Sequence, residues 1–167
     1  MNSFRELIIP SIGTVVPRQG VFAGYPVSPG GDSKSHEDRA LFVKQTNFLD
    51  GHGNPIAYNL RNVESQIDVL NELGLRDNGR LLRGWFLPSV DNMRYNLYPY
   101  RDVGAFREMF SGEPGDRPLL HWTGTTDPEN RSNQLVVSLA NGSIYSVPKN
   151  TRAKYYCRPF RMGRLES

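Results

Sequence analysis

A chain of 167 residues and 18.9 kDa is the size of one domain, and its 20 Lys+Arg against 17 Asp+Glu leave a formal charge of only +3. With 38% apolar residues and a mean hydropathy of −0.52, it is too apolar and too weakly charged for a disordered chain. No apolar run approaches the roughly 18 residues of a membrane span, and sixteen glycines with twelve prolines exclude a mainly helical bundle.

Residues 1–31 read as an extended N-terminal arm ahead of one domain over 32–167. Ile8, Ile9, Ile12, Val15, Val16, Val21 and Phe22 are interrupted there by Pro10, Gly13, Pro17 and Gly20. Prolines at that spacing allow a sheet-edge wrapper or an arm docked on a neighbour. The turn-rich Ser28–Ser35 stretch reads as an exposed loop. Ala40–Val43 and Ile56–Tyr58 then flank Asp50-Gly-His-Gly-Asn-Pro55, which reads as a hairpin or long loop. Asp50 and His52 are metal-type residues, but no third ligand is visible, and no metal is expected.

The clearest helix covers 62–73: Asn62 caps it, Val63, Ile67, Leu70 and Leu73 share one face, and Gly74 stops it. A strand-like Arg83–Leu87 ends at Pro88. Ser89 then caps a second helix carrying Val90, Met93 and Leu97. A third covers Asp102–Phe110, with Val103, Phe106 and Phe110 inward, before the turn-rich 111–118. The last third is β in character. Leu135, Val137 and Leu139 alternate with their neighbours, and Asn141-Gly142 favours a two-residue type I′ turn. Ile144–Val147 returns antiparallel, and Lys154–Arg158 forms another strand ending at Pro159.

The single cysteine, Cys157, excludes an internal disulfide and a cysteine-ligated structural zinc. Flanked by Tyr155, Tyr156 and Phe160, it reads as a buried, inert thiol. The start of the chain has neither a basic leader nor an apolar core of a signal peptide. If the protein reaches an exterior surface, it is expected to do so inside an assembly or by lysis, made in the cytoplasm without a signal peptide. Arg152, Lys154, Arg158, Arg161 and Arg164 against Glu166 make the last sixteen residues basic. Arginines clamping carboxylates or a partner surface explain this better than nucleic acid does.

Four segments occur in a fixed order: Trp85-Phe-Leu-Pro-Ser89, His121-Trp-Thr-Gly-Thr-Thr126, Asn141-Gly142 and Tyr156-Cys-Arg-Pro-Phe-Arg161. Over residues 80–162 this order resembles the DUF1566 and Fibrobacter-paralogue (FISUMP) domains, which are similar to the C-type-lectin-like fold. The resemblance implies an α+β architecture with short antiparallel strands, two or three helices and long loops. Relatives of that fold include formylglycine-generating enzymes and variable receptor-binding proteins of phages. Trp85, Pro88, Ser89, Trp122, Asn141, Gly142, Arg158 and Arg161 are expected to build the fold. Two buried indoles supply large apolar area, each N–H needing an acceptor, and the two arginines lock the end of the sheet to acidic residues upstream.

The departures bear on function. Calcium-dependent lectins use Glu-Pro-Asn and Trp-Asn-Asp strings. Asp127-Pro-Glu-Asn130 is the nearest string to the first, with the order changed, and the second is missing, so calcium-dependent sugar binding is not expected. One cysteine removes formylglycine-generating chemistry. His36, His52 and His121 lie in separate segments without a nucleophile elbow or phosphate loop, so no enzyme and no cofactor are expected.

Recognition is assigned instead to loops on a rigid scaffold. The candidates are 111–120 and 123–134, with Asp127, Glu129, Asn130, Arg131 and Asn133, together with Tyr145. The expected role is a structural or attachment module of a phage virion or surface assembly. It would be homo-oligomeric and bind other subunits, a receptor protein or a glycan. The alternative is a calcium-independent carbohydrate-binding surface protein.

Overall fold

The computed structural model describes residues 9–17, 19–26, 40–44, 56–73, 75–77, 80–82, 84–111 and 120–163. The architecture is α+β with antiparallel strand pairing. Five strands, β1 (Val15–Val16), β2 (Gly20–Phe22), β3 (Ala40–Val43), β6 (Trp85–Phe86) and β10 (Phe160–Gly163), form one sheet in the order β1-β2-β3-β10-β6. β4 (Leu75–Asp77) and β5 (Arg80–Leu82) pair as a hairpin. β7 (Leu120–Thr126), β8 (Asn133–Ser138) and β9 (Ile144–Pro148) make a three-stranded meander.

β3 is apolar at every position because both of its faces are covered. Leu41 and Val43 enter the main core with Val21, Met93, Leu97, Phe106 and Phe160, while Ala40 and Phe42 meet Phe22 on the opposite face. The sheet-edge role is thus the one the early segment takes. β1 lies at the margin, and Val21, Phe22 and Ala23 are wholly or almost wholly buried. Residues 1–8 and 27–39 lie outside the described residues, as do 45–55 with the Asp50–Pro55 connector.

β8 is covered on both faces in the same way. Val137 joins the main core, whereas its neighbour Val136 points into a second core with Trp122, Cys157 and three residues of α1 (Leu60–Leu73). Those three are Leu60, Val63 and Ile67; of the face read from the spacing, Val63, Ile67 and Leu70 are buried, and the Leu73 side chain lies outside the described residues. The cap differs: the Asn59 side-chain oxygen accepts the Asn62 N–H at 2.9 Å, one turn earlier than expected. Asn71, near the end of α1, accepts the N–H groups of Gly84 (3.1 Å) and Trp85 (2.8 Å) and donates to the Trp85 carbonyl (2.9 Å). The side chain thereby fastens β6 to the helix.

Ser89 caps as expected. Its hydroxyl accepts the Asn92 N–H while Asn92 accepts the Ser89 N–H, a reciprocal box. The helix that follows is wound as a π-helix over Asn92–Leu97, then as a 3-10 turn over Tyr98–Tyr100. The wider winding places Asn96 inward beside Met93 and Leu97, where its amide donates to the carbonyls of Ala23 (3.0 Å) and Tyr25 (2.7 Å). A buried polar side chain thus satisfies the chain leaving β2.

Several expectations are corrected. Of the two readings of Ala40–Val43 and 56–58, the hairpin is excluded: Ala40–Val43 pairs with β2 and β10, and Tyr58 bridges Tyr155. Lys154–Arg158 is reduced to bridges at Tyr155 and Tyr156. The strand begins after Pro159, where β10 inserts between β3 and β6. The third helix, α2 (Ala105–Ser111), starts late and leaves Val103 exposed, with Phe106 buried. The Phe110 side chain lies outside the described residues.

The Asn141-Gly142 turn spans four residues between Ser138 and Ser143, because Leu139 must reach the main core before the chain reverses. Gly142 closes it at φ +76°, where a Cβ would stand 2.9 Å from the Tyr98 ring. Asn141 accepts the Ser143 N–H. No helix among the described residues is long and apolar enough to cross a membrane.

Candidate functional site

The motif pair around the two tryptophans sets the site's position. Trp122 is fully buried, donates Nε1 to the Tyr58 carbonyl at 2.7 Å, and meets Tyr155 edge-on at 5.0 Å. Trp85 is also buried, although its Nε1 meets no acceptor among the described residues. The Gly124 N–H bonds to the Pro88 carbonyl (2.8 Å) and Val90 N–H to the Thr125 hydroxyl (2.9 Å), so β7 is tied to the 87–90 corner.

β7 reaches that corner through a bulge. Trp122 opposes Val136 and Thr126 opposes Gln134, so the stretch between them is two residues longer on β7 than on β8. The carbonyls freed by this mismatch are taken up by side chains. Thr123 donates to the Leu135 carbonyl (2.7 Å), and Gln134 donates to that of Thr123 (2.7 Å). Gln134 was not foreseen in this role.

Beyond the bulge, the 127–132 connection closes on itself. Asp127 accepts the Glu129 N–H (2.9 Å) and the Ser146 hydroxyl (2.6 Å), while Asn133 donates to the same Ser146 oxygen (3.0 Å). Asn130 accepts the Ser132 N–H, and Lys149 N–H bonds the Ser132 carbonyl. The Ser146 hydroxyl and then the Glu129 N–H hold the Asp127 carboxyl below its ordinary range.

Thr126, Asp127, Pro128, Arg131 and Lys149 line an open depression of about 400 Å³. Of the residues expected to bind, Asp127, Asn130 and Asn133 build the loop, and Arg131 faces the depression. Glu129 is exposed beside it. Tyr145 lies apart, opposite Val136 on β9, with Ile144 beside it; they are 45% and 40% exposed. Ser146 and Lys149 were missed. Ser146 is a polar residue on the strand read over Ile144–Val147, and Lys149 directly follows β9. Of the 111–120 candidate loop, 112–119 lie outside the described residues.

The other chemical groups sit in the core. His121 is fully buried, its ring 5.8 Å from that of Tyr156. Burial pushes the Cys157 thiol up to about 12, against the opposing pull of Arg158 and Lys44, so it stays protonated at neutral pH. Burial, and then Arg158, bring Lys44 down to about 8. Arg158 is buried and donates to the Met109 carbonyl at 2.9 Å, and Arg161 donates to the Gln19 side-chain oxygen. Among the described residues no three His, Cys, Asp or Glu side chains gather as a metal site. His36 and His52 lie outside the described residues.

No protein-family model matches the chain, and no curated protein matches it.

Proposed function

We propose that the chain is a non-enzymatic attachment module of a virion or surface assembly. It would hold a partner protein or receptor through the 127–132 loop and β9, on a C-type-lectin-like scaffold. The observation that carries this reading is the loop itself. Its backbone is fixed by Asp127, Asn130, Ser146 and Ser132, while Arg131, Lys149 and Tyr145 extend outward. A surface already ordered before binding loses little conformational entropy on association. The mixture of Tyr, Asn and Arg is typical of protein-recognition faces. The docking of the Trp85–Ser89 segment on the Trp122–Thr126 segment supports the lectin-like reading. The buried positions of His121 and Cys157 favour packing roles over acid–base or nucleophilic ones.

A photo-crosslinking residue at position 145, introduced into the assembled particle, tests the proposal. A covalent adduct with another protein is expected. The absence of a protein adduct, together with selective binding on a glycan array, would replace it with the carbohydrate-binding alternative.

A further inference from the structure

The meander ends in an open strand. In β8–β9 the bonds Ser138 N–H to Ser143 carbonyl and Lys149 N–H to Ser132 carbonyl fix which residues face β8. By the antiparallel alternation, the N–H and C=O groups of Ile144 and Ser146 then point away from β8, along an edge with no neighbouring strand among the described residues. All of β9 except Val147 is exposed, and none of its five residues is charged. Long open edges are normally blunted by lysine, proline or a covering loop. Here only Pro148, lacking an N–H, marks where pairing stops. Lys149 follows at once, and its side chain lines the depression with Arg131. Among the described residues neither of these two cations has an ion-pair partner, while Asp127, the one carboxylate there, is engaged by Ser146 and Glu129.

We infer that this edge takes an extended segment of a partner protein as an added strand, with acidic side chains of that segment seated between Arg131 and Lys149. Main-chain bonds to Ile144 and Ser146 supply register, and the two cations supply selectivity for charge. This inference rests on the proposed attachment role and names the chemistry of its partner.

The probe is a fluorescein-labelled peptide, Thr-Val-Thr-Val-Asp-Asp, compared with Thr-Val-Thr-Val-Lys-Lys. The acidic peptide is expected to bind at least about tenfold more tightly and to shift the amide resonances of Ile144 and Ser146. Arg131→Gln with Lys149→Gln is expected to abolish the difference between the peptides. Ile144→Pro removes an outward N–H without touching the β8 ladder, so it is expected to weaken both peptides. N-methylating alternate peptide amides does the same test on the unaltered protein. Equal affinity for the two peptides, retained binding of the N-methylated form, or no binding at all overturns the inference. So does a heparin-derived oligosaccharide shifting the Arg131 and Lys149 resonances where the acidic peptide does not. A protein crosslink from position 145 that survives Ile144→Pro and the charge variants would leave the attachment role standing and remove strand addition.

Discussion

Gly124 donates its backbone N–H to the Pro88 carbonyl at 2.8 Å, and this contact joins two sequence segments that lie thirty-six residues apart. A Cβ on Gly124 would stand 2.8 Å from the Leu87 carbonyl oxygen, a backbone atom that cannot swing aside. Gly124→Ala is therefore expected to destabilise the fold by about 1–3 kcal/mol, the usual cost of overpacking a fitted contact. Urea unfolding followed by tryptophan fluorescence measures it, and an unchanged midpoint would mean that β7 does not need this approach.

Asn71 makes three hydrogen bonds to the 84–85 backbone. Asn71→Ala leaves the Trp85 N–H and carbonyl without that partner in a part-buried setting, so a loss of about 2–4 kcal/mol is expected from unsatisfied groups. Asn71→Asp should recover part of it, since the carboxylate still accepts the two N–H groups. Equilibrium unfolding of the pair of variants distinguishes this from a simple loss of helix packing.

Lys44 gives the protein a defined alkaline response. Its folded value near 8 lies below the ordinary 10.5, so the unfolded chain binds more protons between those limits, and stability rises with pH there. Cys157 acts in the opposite sense: its value near 12 against an ordinary 9.0 means that stability falls as pH climbs past about 9. The net expectation is a rise from about pH 7.5 to 9, a plateau to about 10.5, and a fall above it. Lys44→Met is expected to remove the rise, and Cys157→Ala to extend it toward pH 10.5. Melting temperatures at half-unit pH intervals provide the check.

Asp127 holds the loop through its charge. Its lowered carboxyl value means that the stabilisation is present above the unfolded value of 3.8 and is lost as pH falls through the lower folded one. Asp127→Asn keeps one acceptor for the Glu129 N–H but weakens the bond from Ser146. Faster amide exchange at Glu129, with global stability nearly unchanged, is the expected outcome.

How far the sequence foretold this arrangement depended on whether the cause was local. The α1 face, the Ser89 cap and the alternation of β8 are periodic or capping signals, and they were legible. β10 was not. Phe160–Gly163 is a short run behind Pro159 whose strand character comes from β3 and β6 on either side. The four-residue turn at 139–142 overrode the two-residue preference of Asn-Gly because Leu139 is a core residue. The π-winding at 92–97 depends on carbonyls of Ala23 and Tyr25, some seventy residues away. In the site, Asp127, Asn130 and Arg131 were visible as a polar loop. Ser146 and Lys149 lie on and just after a strand whose antiparallel return was read, but their meeting with Asp127 and Arg131 depends on how the 127–132 connection folds back over that strand.

The attachment reading is tested most directly by replacing residues 128–131 with Gly-Ser-Gly-Ser and measuring, on one preparation, both unfolding and attachment of the assembled particle. Attachment should fall to background, with the melting temperature moving by only a few degrees, since Pro128–Arg131 are exposed and outside both cores. Full attachment by a folded replacement would contradict it.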